Sequence, residues 1–422
     1  MCHFFTNFVS LIRKVVEILY NTGILLYIAA IRLAAMFNSK ASLWIKGRKG
    51  WKARLKEKMI PGEKKLWIHC SSLGEFEQGR PLIEEIKNRY PGYKVFLTFF
   101  SPSGYEVRKN YPVADWVEYL PADLPGNVRH FVKVVDPELV IFVKYEFWNN
   151  YISELNRKNI PVYLVSGIFR PGQHFFRWYG FFFRGMLQKF KRIFVQDARS
   201  EDLLAGIGIT NVTMAGDTRF DRVVKISGTA SAIPRIEKFR GNERLFLAGS
   251  SWKADEEIIA RYINRSPSVM KWVFAPHEVE RSNIDRLEKM FSTSVVRFSE
   301  LTPDSAGARV LIIDNIGMLS SAYQYAYIAA VGGGFGKGIH NILEPACWKI
   351  PVLFGPNHTR FREAVELIKE EGAMTFNSYD SFEKIVDKLL SDNLFYLKSA
   401  RSASDYITKN TGATAIILRE IF

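Results

Sequence analysis

Leu66-Trp67-Ile68-His69-Cys70 runs into Ser71-Ser72-Leu73-Gly74-Glu75 and then into FEQGRPLIEEIKNRY (76–90). The first five residues have the length and the aromatic and β-branched content of a buried strand. After Gly74, the apolar residues Phe76, Leu82, Ile83 and Ile86 recur at mostly helical spacing. A strand, a small-residue turn and a helix in that order make the opening unit of a parallel α/β sheet, and they put Glu75 at the mouth of that sheet. Open sheets of this kind bind their ligands beyond the carboxyl ends of the strands. A carboxylate in the first helical turn is also favoured as the anion by the helix dipole. An ionised, forward-pointing carboxylate suits a general base; the same position equally suits a plain helix cap.

Working outward, short apolar runs alternate with amphipathic stretches. Strands are predicted at 66–70, 94–99, 116–120, 138–143, 161–166, 192–195 and 211–214. A mixed polar stretch at 216–244 interrupts the pattern. A second series then follows at 245–249, 271–275, 294–298, 309–313, 326–331, 351–354 and 373–376. This alternation predicts two Rossmann-like halves, each a parallel sheet with helices on both faces. The chain's 422 residues are enough for two such domains.

Charge is concentrated at the start. Residues 1–65 hold 13 Lys or Arg, against Glu17, Glu57 and Glu63 as the only acids. The same segment contains the most lipid-like run, Ile18 to Met36, interrupted by Asn21 and Arg32. The basic cluster follows the apolar run, which argues against a cleaved signal peptide. A spanning anchor would leave the basic 40–65 segment in the cytoplasm. A helix lying among lipid headgroups, its Lys and Arg meeting anionic lipid, fits better, and a core helix with a solvated basic face is the plain alternative. With no nucleic-acid motif beside the apolar run, a membrane is the expected partner and nucleic acid is not. The segment 170–190 (RPGQHFFRWYGFFFRGMLQKF) reads either as an amphipathic helix packed on the sheet or as a second lipid-facing surface. Three scattered cysteines and seven dispersed histidines give neither a disulfide framework nor metal-ligand spacing, so no metal is expected.

Several other strand ends carry polar groups. Ser101 and Ser103 follow the strand at 94–99, and Lys144-Tyr145-Glu146 follows 138–143. Gly216-Asp217-Thr218-Arg219 opens the linker, where an Arg can grip phosphate or carboxylate at two points. In the second half Pro276-His277 follows 271–275, and Ile316-Gly317-Met318 lies beyond 309–313. Gly332-Gly333-Gly334 follows 326–331 and leads to Asn341-Ile342-Leu343-Glu344. Glycines admit close backbone approach to an anion, and a helix starting near Asn341 would offer unpaired N–H groups to it. Glu344, one turn in, suits hydrogen bonds from ribose hydroxyls. Each of these is also an ordinary turn or cap residue; together they predict one site in a cleft between the two halves.

SSLGE, TFFSPSG, YLPADLPGNVRHF, EFWNN, GDTRFD, APHE and HNILEPA stand in this order and spacing. By these motifs the chain resembles the bacterial 3-deoxy-D-manno-octulosonic acid (Kdo) transferases over roughly residues 40–420, and its basic, apolar N-terminus is similar to that family's membrane anchor. The resemblance implies an inverting glycosyltransferase of the GT-B fold. Its donor would be CMP-Kdo, a substrate and not a cofactor, and its acceptor the lipid A precursor (lipid IVA), at the cytoplasmic face of the inner membrane among anionic lipids. The implied domains are an anchor at 1–45, an acceptor domain at 46–220, a CMP-Kdo-binding domain at 221–400 and a C-terminal helix at 401–422. Glu75 matches the catalytic base, and Glu146 and Arg219 match the pair that stabilises the transition state. Pro276, His277, Ile316, Gly317, Met318 and the segment Asn341 to Glu344 match the CMP-binding segments, beside Gly333 and Gly334, while Ser101 and Ser103 are acceptor-side candidates. Arg219 stands where many members have Lys, His277 where Arg is common, and Lys144 where a neutral residue is usual. Two other functions fit the same cleft: a membrane-associated GT-B transferase of a different nucleotide sugar, and a nucleotide-regulated scaffold with a dead catalytic site.

Overall fold

A computed structural model describes residues 2–266, 270–302 and 304–422; for residues 2–13, Asp304 and Ala306 it describes the backbone alone, so the side chains of Cys2 and Arg13 lie outside it. The chain divides into two compact units. One comprises the residues up to Arg219 together with Gly412–Phe422, and the other is Phe220–Thr411.

The first unit is built on β1 (Lys65–Cys70), β2 (Lys94–Phe99), β3 (Trp116–Tyr119), β4 (Leu139–Val143), β5 (Val162–Gly167), β6 (Arg192–Val195) and β7 (Val212–Met214). They form one sheet in the order β3-β2-β1-β4-β5-β6-β7, and every pairing is parallel. Every residue of β1 is buried, because helices cover both faces of the sheet; this is why the run reads as continuously apolar instead of alternating. Trp67, Phe96, Val140 and Phe142 enter the core on one face, and Ile68, Cys70, Leu97 and Ile141 enter that on the other. The helix Leu73–Arg89 follows β1 and packs closely enough that a Cβ at Gly79 would lie 3.1 Å from both Cys70 Sγ and Val143 Cγ2.

The second unit repeats the architecture with β8 (Leu245–Ser251), β9 (Lys271–Pro276), β10 (Val295–Arg297), β11 (Val310–Ile312), β12 (Ile328–Val331), β13 (Val352–Phe354) and β14 (Ala373–Thr375). Their order is β10-β11-β9-β8-β12-β13-β14, again all parallel. All fourteen predicted strands are present, with ends shifted by one or two residues.

Three segments differ from their sequence reading. The polar stretch 216–244 contains two helices, Thr218–Thr229 and Pro234–Arg240. Residues 401–422 are not one helix: Asn393–Lys409 ends with Asn410 as its C-cap, and Gly412, at φ 108°, is the N-cap of the separate helix Ala413–Ile421. The last helix then joins the first unit, where Phe422 stacks on Tyr90 and Glu420 meets Arg192 and Thr213. The segment 170–190 is a short 3-10 turn, His174–Phe176, and a two-turn helix, Phe181–Leu187. Phe175, Phe182, Met186 and Leu187 are buried while Trp178 is 91% exposed. Its aromatic residues thus divide between the core and the surface.

The N-terminal helix spans Cys2–Ala34. Within it, Lys14–Ala34 is long and apolar enough to cross a membrane, with a mean hydropathy of 1.5. One face docks on the first unit: Tyr20 Oη donates to Asp123 (2.6 Å), Asn150 Nδ2 donates to Asn21 Oδ1 (2.8 Å), and Tyr27 stacks on Phe100. The opposite face leaves Val15, Ile18, Leu19, Leu25, Leu26 and Leu33 exposed. Asp123 is buried and also accepts from the backbone N–H groups of Asn150 and Tyr151, the first turn of the helix Asn149–Arg157. Burial still pushes its carboxyl up to about 6. Tyr20→Phe, which removes one donor from that carboxylate, is expected to lower stability by about 1–3 kcal/mol in chemical denaturation; an unchanged midpoint and slope would mean that the helix docks without this bond.

Candidate active site

In the first sheet the strand order reverses between β1 and β4, which lie side by side with Leu66 opposite Leu139 and His69 opposite Phe142. That switch point separates the loops leaving the two strands and opens a crevice between them. One loop leads to Glu75, the other to Lys144, Tyr145 and Glu146. Both carboxylates are buried. Glu75 Oε2 accepts the backbone N–H of Ser71, the residue before the N-cap Ser72, and so ties the turn to its helix. The helix dipole does not set its charge, contrary to the sequence reading. Burial, and then the charge of Glu146, push its carboxyl up to about 8, against the Ser71 and Ser72 amides and Lys144, which pull it down. A carboxyl enclosed beside a second carboxylate is costly to ionise. Lys144, held in a left-handed backbone conformation (φ 70°) at the end of β4, adds to the downward pull on this carboxyl.

Glu146 is anchored by residues whose importance the sequence did not signal. His69 Nε2 lies 2.8 Å from Glu146 Oε2, and Trp148 Nε1 donates to the same oxygen. On its other side His69 Nδ1 lies 2.9 Å from Thr98 Oγ1, which accepts from Trp67 Nε1 (2.8 Å). An Nε2–H that donates to the Glu146 carboxylate fits this arrangement, while Nδ1 faces both the Thr98 hydroxyl and, at 3.1 Å, the Thr98 carbonyl oxygen. A polar residue inside a strand buried on both faces was the available signal, since such a side chain has to find partners within the protein.

Arg219 follows Asp217, which accepts from its backbone N–H (2.9 Å) and holds its Nε and Nη2 (2.9 and 2.7 Å). The two-point grip expected for a ligand is thus made on a neighbouring carboxylate, which fixes the plane of the guanidinium. Ser101 caps the helix Pro102–Arg108 by accepting from Ser103 N, and its hydroxyl lies 2.8 Å from that of Ser103. Its own N–H reaches Ser71 O (2.8 Å) and ties the loops after β1 and β2 together.

In the second sheet the order reverses between β8 and β12. A cavity of about 630 Å³ lies at their carboxyl ends, walled by Trp252 to Asp255 from one loop and by Gly333, Phe335 to Gly338 and His340 from the other. The glycines there serve backbone packing. A Cβ on Gly334 would come within 2.6 Å of Gly355, and one on Gly332 within 2.3 Å of Ser250 O. The helix expected after Asn341 is a single turn, Leu343–Ala346, whose Leu343 N–H is already met by Asn341 Oδ1 (3.2 Å); it offers no strong dipole to an anion. Glu344 accepts from Ser320 Oγ (2.6 Å) and Asn341 Nδ2 (3.0 Å), which aligns its carboxylate. Pro276 ends β9 buried, and His277 N donates to Ser251 O (3.0 Å). The His277 ring stacks against both Trp252 and His340, at 4.7 and 4.4 Å. Trp252 Nε1 donates to His340 Nε2 (2.9 Å), and burial, then His277, pull the His340 imidazole down to about 4. His340 is thus a neutral acceptor at physiological pH. Ile316 is exposed beside Gly317, at φ 105°, and Met318. Among the described residues no group of three His, Cys, Asp or Glu side chains is arranged to hold a metal.

Residues 49–222 match the model of the family described as 3-deoxy-D-manno-octulosonic-acid transferase (kdotransferase). The chain is 26% identical over 375 residues to the 3-deoxy-D-manno-octulosonic acid transferase of Haemophilus influenzae, covering 85% of this chain and 86% of that one. It is 29% identical over 315 residues to the transferase of the same name in Aquifex aeolicus, covering 73% and 80%. The chain is thus similar to Kdo transferases over most of its length. It is accordingly a glycosyltransferase, and its paired parallel sheets are of the GT-B type. The fold extends to UDP-GlcNAc 2-epimerases: the Neisseria meningitidis enzyme, solved bound to UDP-GlcNAc, superposes with a TM-score of 0.59 at 14% identity over 85% of this chain and 99% of that one. At that identity the likeness speaks for the fold alone.

Within this family frame the Glu75 carboxyl has a signature in stability. Its folded-state pKa lies above its unfolded value, so the folded protein binds the proton more tightly, and stability falls as pH rises from about 4.5 to about 8. Glu75→Gln mimics the protonated form and keeps an acceptor for Ser71 N–H. It is expected to melt higher than wild type at pH 8, with the difference shrinking towards pH 5. A gap independent of pH would mean that Glu75 is not held in this unfavourable state.

Proposed function

We propose that the chain transfers Kdo from CMP-Kdo to the lipid A precursor lipid IVA, with Glu75 as the general base. The observation that carries this reading is the Glu75–Glu146 pair at the switch point of the first sheet. In an inverting transfer an acceptor hydroxyl attacks the anomeric carbon, and its proton must leave as the bond forms. A carboxylate whose pKa is pushed up to about 8 is a far stronger base than an ordinary one, and general-base catalysis contributes roughly 10²–10⁴ in rate. Glu146, fixed by His69 and Trp148, supplies the negative charge that raises Glu75 and stabilises positive charge developing at the sugar. Arg219, its plane set by Asp217, is suited to the anionic side of the same transition state. The leaving group is a nucleoside monophosphate that already carries its charge, so the reading assigns the reaction no resident metal. Glu344, aligned by Ser320 and Asn341, would accept hydrogen bonds from ribose hydroxyls of the nucleotide, with Pro276, His277 and Ile316 to Met318 as the other donor-binding groups.

The lipid acceptor gives the N-terminal helix its purpose. Docked along the first unit through Tyr20 and Asn21, it would lie against the cytoplasmic leaflet of the inner membrane with its exposed leucines in lipid. The Lys and Arg of residues 40–65 would meet anionic headgroups.

Mass spectrometry of the lipid after incubation with CMP-Kdo and lipid IVA is expected to show Kdo addition. Glu75→Gln should abolish it while retaining CMP binding; undiminished transfer by this variant would remove Glu75 from the base role. In wild type kcat/KM should rise about tenfold per pH unit up to a limb near pH 8, as the Glu75 carboxyl loses its proton. A double variant on the exposed face, Leu19→Glu with Leu26→Glu, is expected to lose co-sedimentation with phosphatidylglycerol vesicles at an unchanged melting temperature. Persistent binding would shift the lipid contact to the exposed Trp178.

A further inference from the structure

The cavity between the loops after β8 and β12 has a feature that nucleotide recognition does not use. Asp255 lines it and is 2% exposed. One of its oxygens, Oδ2, accepts from Trp252 N (3.0 Å) and Gly333 N (3.1 Å), clamping the two loops together. The other, Oδ1, is buried with no hydrogen-bond partner among the described residues. A buried acceptor left unsatisfied destabilises the fold, a cost removed when a bound hydroxyl reaches it. Lys337 lines the same cavity from the opposite loop and makes no ion pair among the described residues, whereas the other lining lysine, Lys253, faces Glu257 (3.7 Å). The volume, about 630 Å³, is ample for one sugar, and Trp252 adds an aromatic wall. An orphan acceptor, an unpaired cation and an aromatic face complement a ligand with hydroxyl donors, a negative charge and an apolar ring face.

We propose that this cavity is the subsite for a polyhydroxylated sugar acid, with Asp255 Oδ1 accepting a sugar hydroxyl and Lys337 holding the carboxylate. The inference rests on the donor reading given above and deepens it: CMP fills the nucleotide segments, and these two residues recognise the sugar it carries. They would thereby set the preference for an acidic sugar over a neutral one.

The test compares Asp255→Asn and Lys337→Ala with wild type. The Asp255→Asn side chain keeps an acceptor for the two backbone N–H groups but turns an amide donor towards the hydroxyl. Two quantities are measured in each protein: the KM for CMP-Kdo at saturating acceptor, and the Kd for CMP by calorimetry. Each variant is expected to raise the KM about tenfold or more, the effect of losing one charge-assisted hydrogen bond, while the Kd for CMP stays within about twofold. An unchanged KM overturns the proposal. So does an equal loss of CMP affinity, which would assign the two residues to the nucleotide phosphate, or a rise confined to the KM of the lipid acceptor. Failure of the donor reading shows separately, as wild-type protein that transfers nothing from CMP-Kdo.

Discussion

The parallel pairing of β1 with β4 is the constraint on which the first unit depends. It joins two strands distant in sequence, Leu66 to His69 alongside Leu139 to Phe142, at the point where the sheet changes direction. Parallel neighbours end at the same edge, so the loops leaving them must open side by side. Glu75 and Glu146 face a common crevice for that reason alone. The same rule acts in the second unit, where β8 beside β12 sets Trp252 and Asp255 against the glycine-rich loop.

Burial converts this topology into chemistry. An exposed Glu75 would be a weak base, ionised at any physiological pH. Enclosed, and next to a carboxylate held by His69 and Trp148, it binds its proton several orders of magnitude more tightly. That property makes it useful as a proton acceptor and also makes it a liability for folding. Lys144 and the Ser71 and Ser72 amides moderate the conflict. Asp255 is a second case of tolerated cost, with one oxygen clamping two loops and the other left without a partner among the described residues.

Much of this was legible in the chain. Fully buried parallel strands must be apolar along their whole length, so each stood out as a short hydrophobic run, and Glu75 could be placed one turn beyond the first. The motifs around Ser71 to Glu75 and Asn341 to Glu344 carried the resemblance to Kdo transferases. The failures share a cause. Residues 216–244 read as polar linker because their helices carry charge on the solvent side, and 170–190 read as either one packed helix or a lipid-facing surface because composition does not reveal where a chain turns. His69, Trp252 and His340 passed unnoticed because a lone His or Trp has no local pattern; each takes its meaning from a partner far away in sequence.

The sequence by itself determined the alternation of strand and helix, the division near residue 220 and the resemblance to Kdo transferases, because these are written in local periodicity and short motifs. Only the tertiary structure decided the protonation of Glu75, the anchoring of Glu146 by His69 and Trp148, the engagement of Arg219 by Asp217, and the unmet oxygen of Asp255. Each of these depends on desolvation and on charges brought together across the fold, and electrostatic free energy is set by distance and burial, which residue order does not encode.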